Sequence, residues 1–176
     1  RKRARLKYLV EERGLDWFRA EVEARLKAPT APCKPFQFTT VGDMLGWHEQ
    51  GDGRFFCGIW VEEGRIKDTD AARYRGGFRA IAQKFGFPIR LTPNCNLIFY
   101  NIEPSQREAV NQALREFNIS HADGFTEARK MSQACVALPT CGLALAESER
   151  VFPSVMDEID KILRELKLEK EPILIR

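Results

Sequence analysis

The sequence predicts an α+β fold, and three observations carry that prediction. Strand-like runs rich in aromatic and β-branched residues occur at Arg54-Phe-Phe-Cys-Gly-Ile-Trp-Val61, Ile89-Arg-Leu-Thr92 and Leu97-Ile-Phe-Tyr100. Amphipathic helical periodicity covers 70–85, with Tyr74, Phe78, Ile81, Ala82 and Phe85 on one face, and 104–117, with Val110 and Leu114 inward. Gly, Pro and Asn clusters separate these runs. From 55 to 117 the order is strand, helix, strand, strand, helix, most of a ferredoxin-like βαββαβ unit with its last strand unplaced.

Ahead of this unit, Leu6, Leu9, Val10, Leu15, Phe18, Val22 and Leu26 fall at helical spacings broken at Gly14. Two helices follow from that, with Asp16 as the N-cap of the second. The basic start Arg1-Lys-Arg-Ala-Arg5 suits a solvated helix face or a nucleic-acid patch. Because it has no Met, and the chain finishes on Pro172-Ile-Leu-Ile-Arg176, the expectation is an excised piece of something longer. Pro29, Pro32 and Pro35 make an extended linker. The domain reading is therefore 1–40, helices and linker; 41–120, a ferredoxin-like half-domain; and 121–176, the start of a further domain.

Within that last part Thr126 opens a short helix. Helices over 143–148 and 154–166 follow, parted by Pro153, the second with Val155, Ile159, Ile162, Leu163 and Leu166 as its apolar face; 172–175 reads as a closing strand. Gly51-Asp-Gly53 is a turn, Glu62-Glu-Gly-Arg65 another, and Ile66 begins a short strand or a helix lead-in.

The charge balance, 28 basic against 25 acidic residues and a net +3, does not point to nucleic acid. No apolar run is long enough for a membrane span and no signal peptide is visible. Five cysteines, an odd and irregular set, are not a disulfide framework, so a reducing compartment fits. His48 and His121 are far from metal-ligand spacing with any cysteine. No phosphate-binding glycine loop occurs. Glu62, Glu63, Glu147 and Glu149 read as solvated. Phe55, Phe56 and Trp60 suit core packing, the alternative being an RNA-stacking sheet face.

The chemistry gathers at Cys135-Val-Ala-Leu-Pro-Thr-Cys141, two thiols six positions apart in a loop read as leading into a helix N-terminus. Spacing alone leaves open whether they are buried small residues or ligands.

The residues around them narrow the choice. Thr92-Pro-Asn-Cys-Asn-Leu-Ile-Phe, followed by Cys135-Val-Ala-Leu-Pro-Thr-Cys-Gly-Leu-Ala-Leu-Ala-Glu-Ser-Glu-Arg150, resembles the siroheme-dependent sulfite and nitrite reductase family, in particular ferredoxin-dependent sulfite reductase. The opening Arg1-Lys-Arg-Ala-Arg-Leu-Lys-Tyr-Leu and Leu45-Gly-Trp-His-Glu-Gln-Gly-Asp-Gly53 are similar too. The resemblance implies that Cys135 and Cys141 are two of four ligands to a 4Fe-4S cluster, the other two lying beyond Arg176. It also implies that 121–176 opens the cluster- and siroheme-binding domain, and that Asn94, Asn96, Arg129 and Ser132 lie near the siroheme. Arg90, Arg129 and Lys130 are chemically suited to its carboxylates.

The implied activity is reduction of sulfite to sulfide in assimilatory sulfur metabolism, with ferredoxin as donor, in a bacterial cytoplasm or plastid stroma. No catalytic residue falls within this chain, which alone is expected to be inactive and free of cluster and siroheme. The alternatives are a siroheme nitrite reductase fragment and a ferredoxin-like RNA-binding or regulatory module. Two positions depart from the family pattern: Cys95 stands where Gln is usual and Gln133 where Met is usual. Each raises a question of hydrogen bonding.

Overall fold

The computed structural model describes residues 5–39 and 42–176. The chain divides into two compact units, Arg1–Thr39 and Thr40–Arg176. In the first, α1 (Leu6–Arg13) and α2 (Leu15–Leu26) meet at Gly14, whose φ of 86° is readily reached only without a side chain. The N-cap of α2 is Gly14 rather than Asp16, which instead sits in the first turn, where the helix dipole favours a carboxylate. Neither helix buries a residue. Thr30 ties the linker back to α2 through Glu23, and Cys33 is an exposed free thiol. The first four residues of the basic start lie outside the described residues.

The second unit is built on a four-stranded antiparallel sheet of β1 (Gly46–Glu49), β2 (Phe55–Ile59), β3 (Ile89–Leu91) and β4 (Leu97–Ile102), in the order β1-β2-β4-β3. The strand left unplaced by the sequence pattern lies upstream of it, not downstream. β1 pairs with β2 from Gly46↔Gly58 to Glu49↔Phe55. Its short composition, Gly-Trp-His-Glu, has little strand signal; the pairing edge of β2 and the Gly51-Asp-Gly53 turn make it a strand. In that turn Arg54 N–H donates to Asp52 and Gln50 N–H to the Arg54 carbonyl. Gly58 must be glycine here, since a Cβ would lie 2.0 Å from the Met44 carbonyl oxygen.

Helices α3 (Tyr74–Phe85) and α4 (Arg107–Glu116) cover the sheet, and Phe78, Ile81, Val110 and Leu114 meet Cys57, Ile59, Phe99 and Ile102 in a closed core. Removing these side chains from water is the main source of stability. Ile66 belongs to no strand; an isolated Asp68–Arg73 bridge leads into α3 instead, and Asp68 accepts from Gly76 N–H.

A smaller core of Ala128, Met156 and Leu163 joins α5 (Glu127–Met131) to α6 (Phe152–Glu165). As the sequence predicts, Thr126 caps α5, its hydroxyl accepting from Arg129 N–H. Pro153 does not delay α6: it sits in the first turn, where its missing N–H costs nothing. The inward face is Met156, Asp160 and Leu163, while Val155, Ile162 and Leu166 are exposed. A polar contact sets that rotation, because Asp160 turns inward to accept from the buried Thr126 hydroxyl.

Two predicted elements are absent. Residues 143–148 form turns and bends. Leu143 and Leu145 are 93% and 99% exposed, so a helix this short would have no tertiary burial to stabilise it. The cysteine loop therefore does not abut a helix N-terminus. Residues 172–175 pair in no strand either; Ile175 bonds to the Ser132 hydroxyl and accepts from Gln133 N–H. Among the described residues no helix is long and apolar enough to cross a membrane.

Candidate functional site

The Thr92-Pro-Asn-Cys-Asn96 turn joins β3 to β4 and closes around one carboxylate. Asp43 accepts from the Thr92 hydroxyl, from Asn94 Nδ2 at 3.0 Å and from Asn96 Nδ2 at 2.8 Å. Asn96 is buried, and its Oδ1 takes the Val61 N–H at 2.8 Å. Both asparagines are thus engaged within the chain. Asp43 has no motif signal of its own in the sequence, because its three donors lie about fifty residues away.

Val61 leads into the 3-10 turn Glu62–Gly64, which together with Arg65 contacts α5 and the residues on either side of the cysteine loop. Glu62 pairs with Arg129 Nη2 at 2.7 Å. Glu63, held at φ 53°, accepts the Ala134 N–H at 2.8 Å. Arg65 grips the buried Glu149 carboxylate with two nitrogens. These glutamates, read from sequence as solvated, are instead internal partners; Glu147 alone of the four stays near the surface, 3.9 Å from Arg150. Burial pushes the Glu63 carboxyl above the ordinary range, and hydrogen bonding from Arg65 holds Glu149 below it. Sequence reasoning had one signal for Glu149, its place in the Ala-Glu-Ser-Glu-Arg motif.

Arg129 reaches Glu62, Asp157 and Asp160. Burial works against its charge, but the three carboxylate hydrogen bonds outweigh burial and raise its pKa. Ser132 accepts from Ile175 N–H at 3.0 Å. The guanidinium of Arg90 lies over the Tyr100 ring, and Lys130 pairs with Glu127. The two departures from the family pattern meet: Gln133 Nε2 donates to Cys95 Sγ at 3.1 Å. The thiol at 95 is thus paired with an amide supplied from the segment just after α5. Both residues line a cleft of about 490 Å³ with Glu63, Arg65, Val136 and Glu149.

Cys135 is exposed, Cys141 half-buried, and both are free thiols. The Cys135 carbonyl accepts from Glu149 N–H at 3.1 Å, and Cys141 N–H donates to the Ala137 carbonyl at 2.7 Å. Arg150 caps the Leu138 carbonyl. Among the described residues no group of three or more His, Cys, Asp or Glu side chains is arranged to hold a metal. Cys57 is a different kind of thiol, buried in the core and pushed up to about 12 by burial.

Residues 48–117, from β1 to the end of α4, match the family model described as the nitrite/sulfite reductase ferredoxin-like half domain. The matched segment takes in half of β1, all of β2, β3 and β4, and both α3 and α4, and the cysteine loop follows it in the same compact unit. Over 98% of its length the chain is 43% identical to a protein of Nitrobacter hamburgensis named sulfite reductase [NADPH] hemoprotein beta-component. Proteins of the same name from Shouchella clausii and Methylobacterium radiotolerans are 40% and 45% identical over all of it. The chain spans about 30% of the length of the curated relatives it matches. The solved structure of the Mycobacterium tuberculosis NirA protein shares the fold, with a TM-score of 0.71 over 94% of this chain and 30% of that one, at 22% identity.

The two histidines stand apart from this site. His48 bonds the Leu45 carbonyl and stacks on Phe56. His121 lies edge-on to Trp47, with its Nε2 buried and unpartnered among the described residues. Burial lowers the His121 pKa from 6.5. The unfolded chain takes up that proton at higher pH than the folded one, so stability falls as pH drops below 6.5 and levels off below the folded value. Urea midpoints between about pH 7.5 and 5.5 should show this slope, and His121→Gln should reduce it.

Proposed function

We propose that the chain is part of a siroheme- and 4Fe-4S-dependent sulfite reductase, in which Cys135 and Cys141 supply two of four thiolates to the cluster. The observation that carries this reading is a pair of free thiols on one loop, tethered to a nitrite/sulfite reductase half-domain. The donor set fits the group in part: thiolates are the natural ligands of such clusters, and two of them leave two iron corners for ligands from elsewhere. When bound, the cluster would supply electron transfer to the siroheme iron.

This chain's own residues then hold and shape. Asp43 locks the turn that carries Asn94 and Asn96, Arg129 joins Glu62 to α6, and Ser132 anchors the segment at Ile175. Asn94, Asn96, Arg129 and Ser132 would border the siroheme, while Arg90 stays over the Tyr100 ring and Lys130 with Glu127. The substrate is sulfite. The names of the relatives support NADPH, rather than ferredoxin, as the source of electrons.

A chimera tests the reading. This chain replaces the aligned segment of the Nitrobacter hamburgensis protein, and sulfite-dependent oxidation of a reduced dye is followed beside the cluster absorbance. Retention of both is expected. Reduction of nitrite but not sulfite would move the assignment to the nitrite branch, and a folded chimera without cluster would sink it.

A further inference from the structure

The two thiols are not held in the same way. Cys141 is referenced to its own loop, through its N–H on the Ala137 carbonyl, with Leu138 closed by Ala146 and Arg150. Cys135 is referenced to the half-domain on both sides. The amide just before it, Ala134 N–H, is taken by Glu63, and its own carbonyl takes the N–H of Glu149, whose carboxylate Arg65 grips. Glu63 and Arg65 belong to one short turn that leaves β2, anchored beneath by Val61 N–H on Asn96. That turn packs tightly against the Thr92–Asn96 turn, since a Cβ on Gly64 would fall 2.4 Å from the Cys95 Cβ.

We propose that Glu63 and Arg65 are positioning residues that fix the backbone of Cys135 against the half-domain, so that it is the pre-set member of the thiol pair, Cys141 being held only by its own loop. This rests on the reading of the pair as joint ligands. Bidentate charge-assisted bonding from Arg65 fixes the direction of Glu149 as well as its distance. Glu63 contributes an acceptor and not only a charge. Ligand geometry is set by such supporting contacts.

The test uses this chain with Glu63→Ala, Glu63→Gln and Arg65→Met. Exchange of the Ala134 and Glu149 amides is measured by NMR, together with the affinity for phenylarsine oxide, which joins two nearby thiols with loss of water. Loss of one hydrogen bond should speed Ala134 exchange roughly five- to tenfold in Glu63→Ala, and Glu149 exchange by at least as much in Arg65→Met. Exchange at the Cys141 amide stays unchanged. Arsenical affinity falls roughly fivefold or more in both variants, and Glu63→Gln restores it by keeping a carbonyl acceptor. Protection of Cys57 from alkylation shows that each variant remains folded.

Unchanged amide exchange overturns the proposal, as does faster exchange with unaltered arsenical affinity. If the unsubstituted chain takes up no arsenical across Cys135 and Cys141, the paired-thiol reading fails and takes the positioning role with it. An unsubstituted chain that binds beside variants that bind equally well refutes the positioning role alone.

Discussion

Cys135→Ser or Cys141→Ser, made in the chimera, abolishes the cluster absorbance and reduces sulfite reduction to background. A serine hydroxyl stays protonated near neutral pH and is a poor ligand for iron in such a cluster, so loss of either thiolate leaves a corner open. Neither substitution should unfold the chain, since Cys135 is exposed and Cys141 only half-buried. Cys33→Ser is the matched control, being an exposed thiol in the linker, and should leave cluster and activity intact. Iron and labile-sulfide analysis decides the matter, and full activity in either loop variant would make that cysteine a structural residue.

Arg129→Met should destabilise the chain by about 3 kcal/mol, seen as a lower urea midpoint with an unchanged slope. The guanidinium is largely buried among Glu62, Asp157 and Asp160. A methionine fills the space but leaves Asp160 buried beside Thr126 without its cation. Double substitution with Asp160→Asn should recover part of the loss, because the two changes remove one shared interaction. Were Arg129 chiefly a partner for siroheme carboxylates, its removal would alter stability by no more than a few tenths of a kcal/mol, the range of an ordinary surface change.

Much of the sheet and its two covering helices is legible in the sequence because their periodicities are local. Phe78 and Ile81 on α3, and Val110 and Leu114 on α4, declare their buried faces at helical spacing, and the β3–β4 pair is announced by the Pro93-Asn-Cys-Asn96 turn between two apolar runs. β1 was not legible. Four residues with a glycine, a histidine and a glutamate become a strand only because β2 offers an open edge to pair with. The error over 143–148 has the opposite cause: local helical spacing was present, but no surface exists to bury Leu143 and Leu145. On α6 the apolar stripe of Val155, Ile162 and Leu166 lost to the inward-turned Asp160.

At the site, the sequence by itself determined the family likeness, the two thiols and the order of the elements, since each is a pattern of residue types along the chain. The tertiary structure alone decided what supports them. The side chains of Asp43, Glu63, Arg65 and Glu149 meet partners 49 to 84 residues distant, and nothing in local spacing marks a carboxylate as internal rather than solvated. Such contacts form only when the sheet brings its turns against the cysteine loop. Their energy comes from pairing that desolvation makes obligatory once the chain has folded.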